Sequence, residues 1–177
     1  QTRELPLLGR NPYALGLLVP GVRTALGMNN LVTDVFSTSA VSISGGRNNM
    51  NSFLLDGAPN TSPLLNQPVM FATVDSVAEF KVETNSFGAE YGRSAGGVFN
   101  VVTKSGGNDL HFTGYEFLRN RVLNANDSFA NSAGQRQPFR LNQFGATLGG
   151  PVALGRLYSG RNRTFFFFLF DGQRYLL

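Results

Sequence analysis

Residues 74–107 read VDSVAEFKVETNSFGAEYGRSAGGVFNVVTKSGG, and the rest of the chain is best understood outward from them. Glu79, Lys81 and Glu83 alternate with Phe80 and Val82. A period of two marks a half-buried strand, because successive side chains on extended backbone point to opposite faces. A polar segment with Gly88, Gly92, Gly96 and Gly97 follows. Val98, Phe99, Val101 and Val102 then make a second β-prone run that ends at Lys104-Ser105-Gly106. No Gly-Lys-Ser/Thr ending and no helix-opening pattern follows the glycines, which argues against a phosphate loop. They are expected to supply tight turns and close backbone approach.

Strand, glycine-rich turn, strand: this stretch resembles the end of the plug domain of TonB-dependent outer-membrane receptors. There a Tyr-Gly turn leads into a Gly-Gly-x-x-Asn-x-x-Thr-Lys strand. Tyr91-Gly92, Gly96-Gly97, Asn100, Thr103 and Lys104 carry the match, and the run from Glu90 through Arg93 to Gly97 is most similar to the Oar-like branch. The resemblance implies an α+β plug domain over residues 1–107. After it come the first antiparallel strands of an incomplete transmembrane β-barrel over residues 108–177.

Composition agrees with a β-rich, turn-rich chain. The sequence has 177 residues, 42% hydrophobic and only 15% charged, with 21 Gly and 16 Phe. Absence of cysteine excludes disulfide scaffolds and thiolate metal sites. The net charge of +4 is scattered, apart from a small group at Arg156, Arg161 and Arg163, so nucleic acid is not an expected partner. No segment approaches the ~18 consecutive apolar residues of a membrane-spanning helix. Gln1-Thr2-Arg3-Glu4 does not open like an export signal, so the resemblance implies a mature form or a fragment.

Upstream, Asn11 suits a helix N-cap and Pro12 the first helical position, and Pro20-Gly21 suits the stop. Leu15, Leu18 and Val19 are expected to share one face of that helix. Residues 31–46 are β-prone. Phe53-Leu54-Leu55 reads as a short strand running into an Asp56-Gly57 turn, a pair that is usually turn chemistry. Leu55-Asp56-Gly57-Ala58-Pro59 is similar to the Leu-x-Asp-Gly-x-Pro segment of plug domains. Ser44 stands where those relatives usually carry Arg, so no role of that Arg transfers here. Residues 60–73 are expected to be a loop. Asn60, Thr61, Asn66 and Gln67 are candidates for a ligand-facing plug tip, with Asn48 to Ser52 as a second segment. Val74 to Ala78 is expected to form one helical turn.

Past Gly107, Asp109–Arg119 has the ~9–11 residues of a tilted membrane strand. Residues 120–138 are polar, 139–150 and 163–175 are further strand candidates, and 151–162 is a shorter connection. Long loop alternating with shorter turn is the rhythm of outer-membrane barrels. Tyr115-Glu116-Phe117-Leu118-Arg119-Asn120, Asn142-Gln143-Phe144-Gly145, Leu148-Gly149-Gly150-Pro151 and the Phe165–Phe168 run resemble the first barrel strands of Oar-like receptors. A barrel of about 22 strands needs far more chain than three strands, so the resemblance implies a piece of a longer protein.

No residue set suggests catalysis. His111 is the one histidine and lacks ligand spacing around it, and Asp75, Glu79, Glu83 and Glu90 are too dispersed to pair on paper. Neither cofactor nor metal is expected. By resemblance the gating motif comprises Asp56, Gly57, Glu90, Tyr91, Gly92, Arg93, Gly96, Gly97 and Asn100, with Glu90 or Arg93 facing barrel charges. The implied function is energy-coupled import across the outer membrane of a Gram-negative cell. The implied partners are the periplasmic protein TonB, whose contact segment lies ahead of the plug, outer-membrane lipid, and an extracellular ligand whose class is unreadable. An adhesion or surface-interaction protein of the same architecture is the alternative, and a soluble β-rich binding domain a third.

Overall fold

The fold is described here from a computed structural model, covering residues 10–24, 41–64, 66–85, 87–92, 94–123, 125, 140–155 and 157–176. Arg93, Arg156, residues 31–40 and most of the polar connection 124–139 lie outside the described residues. The chain divides into two compact units, Gln1–Lys104 and Ser105–Leu177.

In the first unit β1 (Val22–Thr24) pairs antiparallel with β2 (Val41–Ile43). A four-stranded sheet follows from β3 (Ser52–Leu55), β4 (Ala58–Pro59), β5 (Val77–Glu83) and β6 (Val98–Thr103), in the order β4-β3-β6-β5. β3 and β6 run parallel, and the outer pairs are antiparallel. The register puts Phe53 beside Phe99 and Phe80 beside Val101, so the large apolar residues share one face. Glu79, Lys81 and Glu83 share the other with Asn100, as period-two alternation requires.

The core is an aromatic cluster. Phe53 and Phe99 stack at 5.0 Å between centroids. Tyr13, 1% exposed, meets Phe53, Phe71, Phe80 and Phe99 edge-on at 5.7–6.3 Å. Each such ring contributes on the order of 2 kcal/mol by burial, and edge contacts add to it.

Tyr13 is delivered by a helix that differs from expectation. Pro12–Leu18 is a 3-10 helix, and no α-helix occurs among the described residues, so the α part of the expected α+β unit is absent there. Asn11 caps it as expected, its side chain accepting from the Tyr13 N–H at 3.0 Å. The expected face of Leu15, Leu18 and Val19 is not the buried one. Leu18 is 74% exposed, whereas Pro12, Tyr13 and Gly16 are buried. Three residues per turn stack Tyr13 over Gly16, and Gly16 lets the backbone press on Phe99, whose ring would lie 2.8 Å from an added Cβ. The helical turn expected over Val74–Ala78 is also shorter: a turn at 74–76 gives way to β5 at Val77, with a register irregularity before Glu79.

The second unit is a three-stranded antiparallel sheet in the order β11-β8-β7, not a closed barrel. β7 is His111–Asn120, β8 Arg140–Pro151 and β11 Phe165–Leu176. The connection after β8 carries a small hairpin of β9 (Ala153–Leu154) and β10 (Tyr158–Ser159) where only a turn is expected. Pairing is continuous, from His111↔Gly149 to Asn120↔Arg140 and from Phe165↔Pro151 to Leu176↔Arg140.

This register sorts the side chains. One face carries Phe112, Leu148 and Phe168 in one row, then Gly114, Ala146 and Phe170, then Glu116, Phe144 and Gly172. Phe112 is 71% and Phe168 59% exposed, and Leu118 and Phe170 are exposed beside them. The opposite face mixes Thr113, Tyr115, Phe117, Gln143, Thr147 and Asp171. There the Tyr115 hydroxyl reaches across Gly145 to donate to Asp171 Oδ2 at 2.6 Å.

Candidate functional site

Two local turns start the site. Asp56 and Gly57 adopt left-handed φ values of 51° and 79°, closing the two-residue hairpin between β3 and β4. Both oxygens of the Asp56 carboxylate are engaged by the fold: Oδ1 accepts from the Thr103 N–H at 2.7 Å and Oδ2 from the Thr103 hydroxyl at 2.8 Å. Two distant parts of the sequence motif, Asp56-Gly57 and Thr103, thus latch one end of the sheet. Ser44-Gly45, at 51° and 79°, repeats the same turn after β2.

The glycine-rich turn wraps around Asn51, a buried amide. Asn51 Nδ2 donates to the Val41 carbonyl at 2.6 Å, and its Oδ1 sits 2.5 Å from where a Cβ on Gly96 would be. The Met50 carbonyl accepts from the Ala95 and Gly96 N–H groups at 3.1 and 2.9 Å. A Cβ on Gly97 would meet Ile43 Cδ1 at 2.4 Å and the Glu83 carbonyl at 2.8 Å. Both glycines therefore serve close approach. Gly92 differs: its nearest atom would be the Ala89 carbonyl at 3.6 Å.

Between this turn and the 60–68 loop lies an open cleft of about 710 Å³, lined by Ser52, Thr61, Asn66, Glu90, Tyr91 and Gly92 among others. It brings residues of the expected plug tip and of the Tyr-Gly turn onto one surface. The polar side chains of the loop mostly hold the loop itself. Buried Asn60 clasps the Met70 backbone, Nδ2 donating to its carbonyl at 2.7 Å and Oδ1 accepting from its N–H at 2.9 Å. Thr61 Oγ1 accepts from the Phe53 N–H at 2.8 Å. Asn66, at φ 51°, donates from Nδ2 to the Asn51 carbonyl at 2.8 Å. Gln67 is half-buried and does not line the cleft. Glu90 is exposed and is the sole carboxylate among the lining residues. The cleft thus offers an aromatic ring, hydroxyls and one acid, which suits reversible binding of a polar ligand.

Asn100 sits on β6 between Leu54 and Lys81, on the face away from the aromatic core. Its Oδ1 is buried without a hydrogen-bond partner. Exposed Lys81 and half-buried Glu83 form an ion pair at 2.6 Å, whose hydrogen bond holds the Lys81 ammonium above its ordinary pKa. His111 pairs with Gly149 at the end of β7 and is exposed.

One constellation is not visible in the linear sequence. Arg10 forms an ion pair with Asp75, whose side chain is 4% exposed. Lys104 Nζ donates to the Asp75 carbonyl at 2.6 Å, and the Lys104 N–H to the Ser76 carbonyl at 2.7 Å. The opening segment, the start of β5 and the terminal Thr-Lys of the motif converge there. Of these residues the sequence motif singles out Lys104 alone. Tyr13, at the core, has its phenol pushed up to about 12 by burial, and its hydroxyl has no hydrogen-bond partner among the described residues.

Against known proteins, the second unit gives the decisive similarity. Residues 102–176 match the outer membrane beta barrel domain family. Over 126 residues the chain is also 31% identical to the TonB-dependent transporter Oar of Myxococcus xanthus. That alignment covers 67% of this chain and 12% of Oar, so the chain spans about an eighth of the relative it matches. Together with the two-faced sheet, these similarities point to a β-barrel of the outer membrane.

Proposed function

We propose that the first unit is a plug and the second the opening strands of the barrel around it, in a TonB-dependent receptor similar to the Oar-like branch. An extracellular ligand binds, TonB supplies energy from the periplasm, and a bistable plug arrangement shifts to open a path. No covalent chemistry is needed. The carrying observation is the three-stranded sheet of 10–12-residue strands, with exposed Phe112, Phe168 and Phe170 on one face and the Tyr115–Asp171 pair on the other. Strands of that length cross a hydrocarbon core of about 30 Å when tilted, and lipid-facing and lumen-facing residues alternate. The cleft beside Tyr91 and Glu90 is the part of the plug surface suited to ligand contact.

The test is ligand uptake by cells carrying or lacking the full-length gene, each with TonB intact or deleted. Uptake that needs both supports the proposal. Uptake indifferent to TonB rejects it, and lost surface attachment with unchanged uptake assigns the protein to adhesion instead.

A further inference from the structure

We propose that the hairpin joining β8 to β11 is an anchor for anionic phospholipid headgroups at the membrane boundary. This rests on the barrel proposed above. The apolar face of the sheet runs to the hairpin end, where Phe112 and Phe168 flank Leu148. Toward the opposite end the same face becomes mixed, with Glu116, Asn142 and Arg174 set among Phe144 and Leu118 in adjacent rows. The hydrocarbon boundary at the apolar end therefore falls at the hairpin. There the chain exposes Leu157 (94%) and Leu154, with Tyr158 beside them. Aliphatic and aromatic residues directly next to arginines are the composition of an interfacial segment.

The arginines are held in place rather than trailing. Arg161 and Arg163 flank Asn162, which adopts φ 61°. Asn108 fixes that turn reciprocally: its Oδ1 accepts from the Asn162 N–H at 2.7 Å and its Nδ2 donates to Asn162 Oδ1 at 2.6 Å. Gly160 is pinched between the Thr164 and Val152 carbonyls, each 2.6 Å from an added Cβ, which locks the base of the turn. Both arginines are exposed, and neither guanidinium has a hydrogen-bond or ion-pair partner among the described residues. Arg161 borders an open recess of about 430 Å³ that also offers Asn108 and Ser159, with Asp109 the acidic group at its rim. Two guanidiniums against one carboxylate leave the hairpin net positive. Two such charges at a surface of anionic lipid favour phosphate groups presented by the bilayer, while Leu154 and Leu157 enter its edge.

The experiment uses the full-length protein in nanodiscs of phosphatidylglycerol or of phosphatidylcholine, with native mass spectrometry counting lipids retained after delipidation. Wild type should retain phosphatidylglycerol selectively, and R161Q/R163Q should retain it about thirtyfold less, given the ~1 kcal/mol for each of the two basic residues typical of such surfaces. A second variant, L154S/L157S, should weaken retention of the same lipid while leaving both arginines in place. Equal retention by wild type and R161Q/R163Q overturns the proposal. Displacement of the lipid by millimolar inorganic phosphate also overturns it, because the hairpin would then be a free-anion site. A protein that washes off membranes in carbonate sinks the barrel proposal itself, a result separate from either of these.

Discussion

Gly92, Gly96 and Gly97 are three glycines of one motif doing two different jobs. At Gly97 a methyl group would meet the Glu83 carbonyl at 2.8 Å and Ile43 Cδ1 at 2.4 Å, and backbone cannot step aside cheaply. Gly97→Ala should therefore cost about 1–3 kcal/mol in urea unfolding, as overpacking does. Gly92 has φ −62° and a nearest contact of 3.6 Å, so Gly92→Ala should stay within about 0.5 kcal/mol of wild type. Equal costs at the two positions would contradict the close-approach role. At Tyr13 the proton is the probe. Burial favours the uncharged phenol, so the folded state keeps its proton to about pH 12, whereas an unfolded tyrosine releases it near 10. The stabilisation is complete below about pH 10 and is lost as pH rises through 12. The loss is on the order of 2–3 kcal/mol, and Tyr13→Phe should abolish that alkaline slope in unfolding midpoints.

At the scale of elements, the sheet of the second unit predicts opposite tolerances on its two faces. Phe170→Lys puts a charge near the middle of the apolar face and should cost about 2–4 kcal/mol if that face meets lipid. Thr113→Lys, on the other face, should assemble normally, as judged by heat-modifiable mobility in membrane fractions. The strands themselves were legible beforehand, because alternation and turn residues are local signals: β7, β8 and β11 lie within a few residues of the expected runs. The first helix was not, because its seven residues adopt three per turn under the constraint of packing Tyr13 and Gly16 on Phe99. The Arg10–Asp75 ion pair ties that helix to β5. Arg10→Ala strips the guanidinium from a carboxylate with little access to water and should destabilise the first unit by about 3 kcal/mol, measured by urea unfolding. An unchanged midpoint would show the pair to be dispensable.

At the scale of the molecule, the chain is two units with different needs. Unit Gln1–Lys104 has an aromatic core of its own, centred on Tyr13, Phe53 and Phe99. Unit Ser105–Leu177 is a three-stranded sheet with the small β9–β10 hairpin, and the β7 and β11 edges of the sheet have no further strand among the described residues. Unpaired edges joined to exposed phenylalanines favour association between copies. Residues 105–177 expressed alone should therefore elute as aggregates in size-exclusion chromatography and become monodisperse only in detergent. A soluble monomer would remove the membrane sheet.

Much of the candidate site was visible in residue order, and some of it was not. Alternation, turn pairs such as Asp56-Gly57 and the spacing from Gly96 to Lys104 act over a few residues of backbone, so the sequence alone determines strands and turns. Which polar groups meet is a different matter. Arg10 finds Asp75 across 65 positions, Asp56 finds Thr103 across 47, and Tyr115 finds Asp171 across 56. Such contacts depend on how strands stack and register, which one stretch of chain does not encode. Tertiary structure likewise turned Asn60, Thr61 and Asn66 into the loop's own fastenings, because a buried amide or hydroxyl must satisfy its hydrogen bonds with whatever the fold brings near.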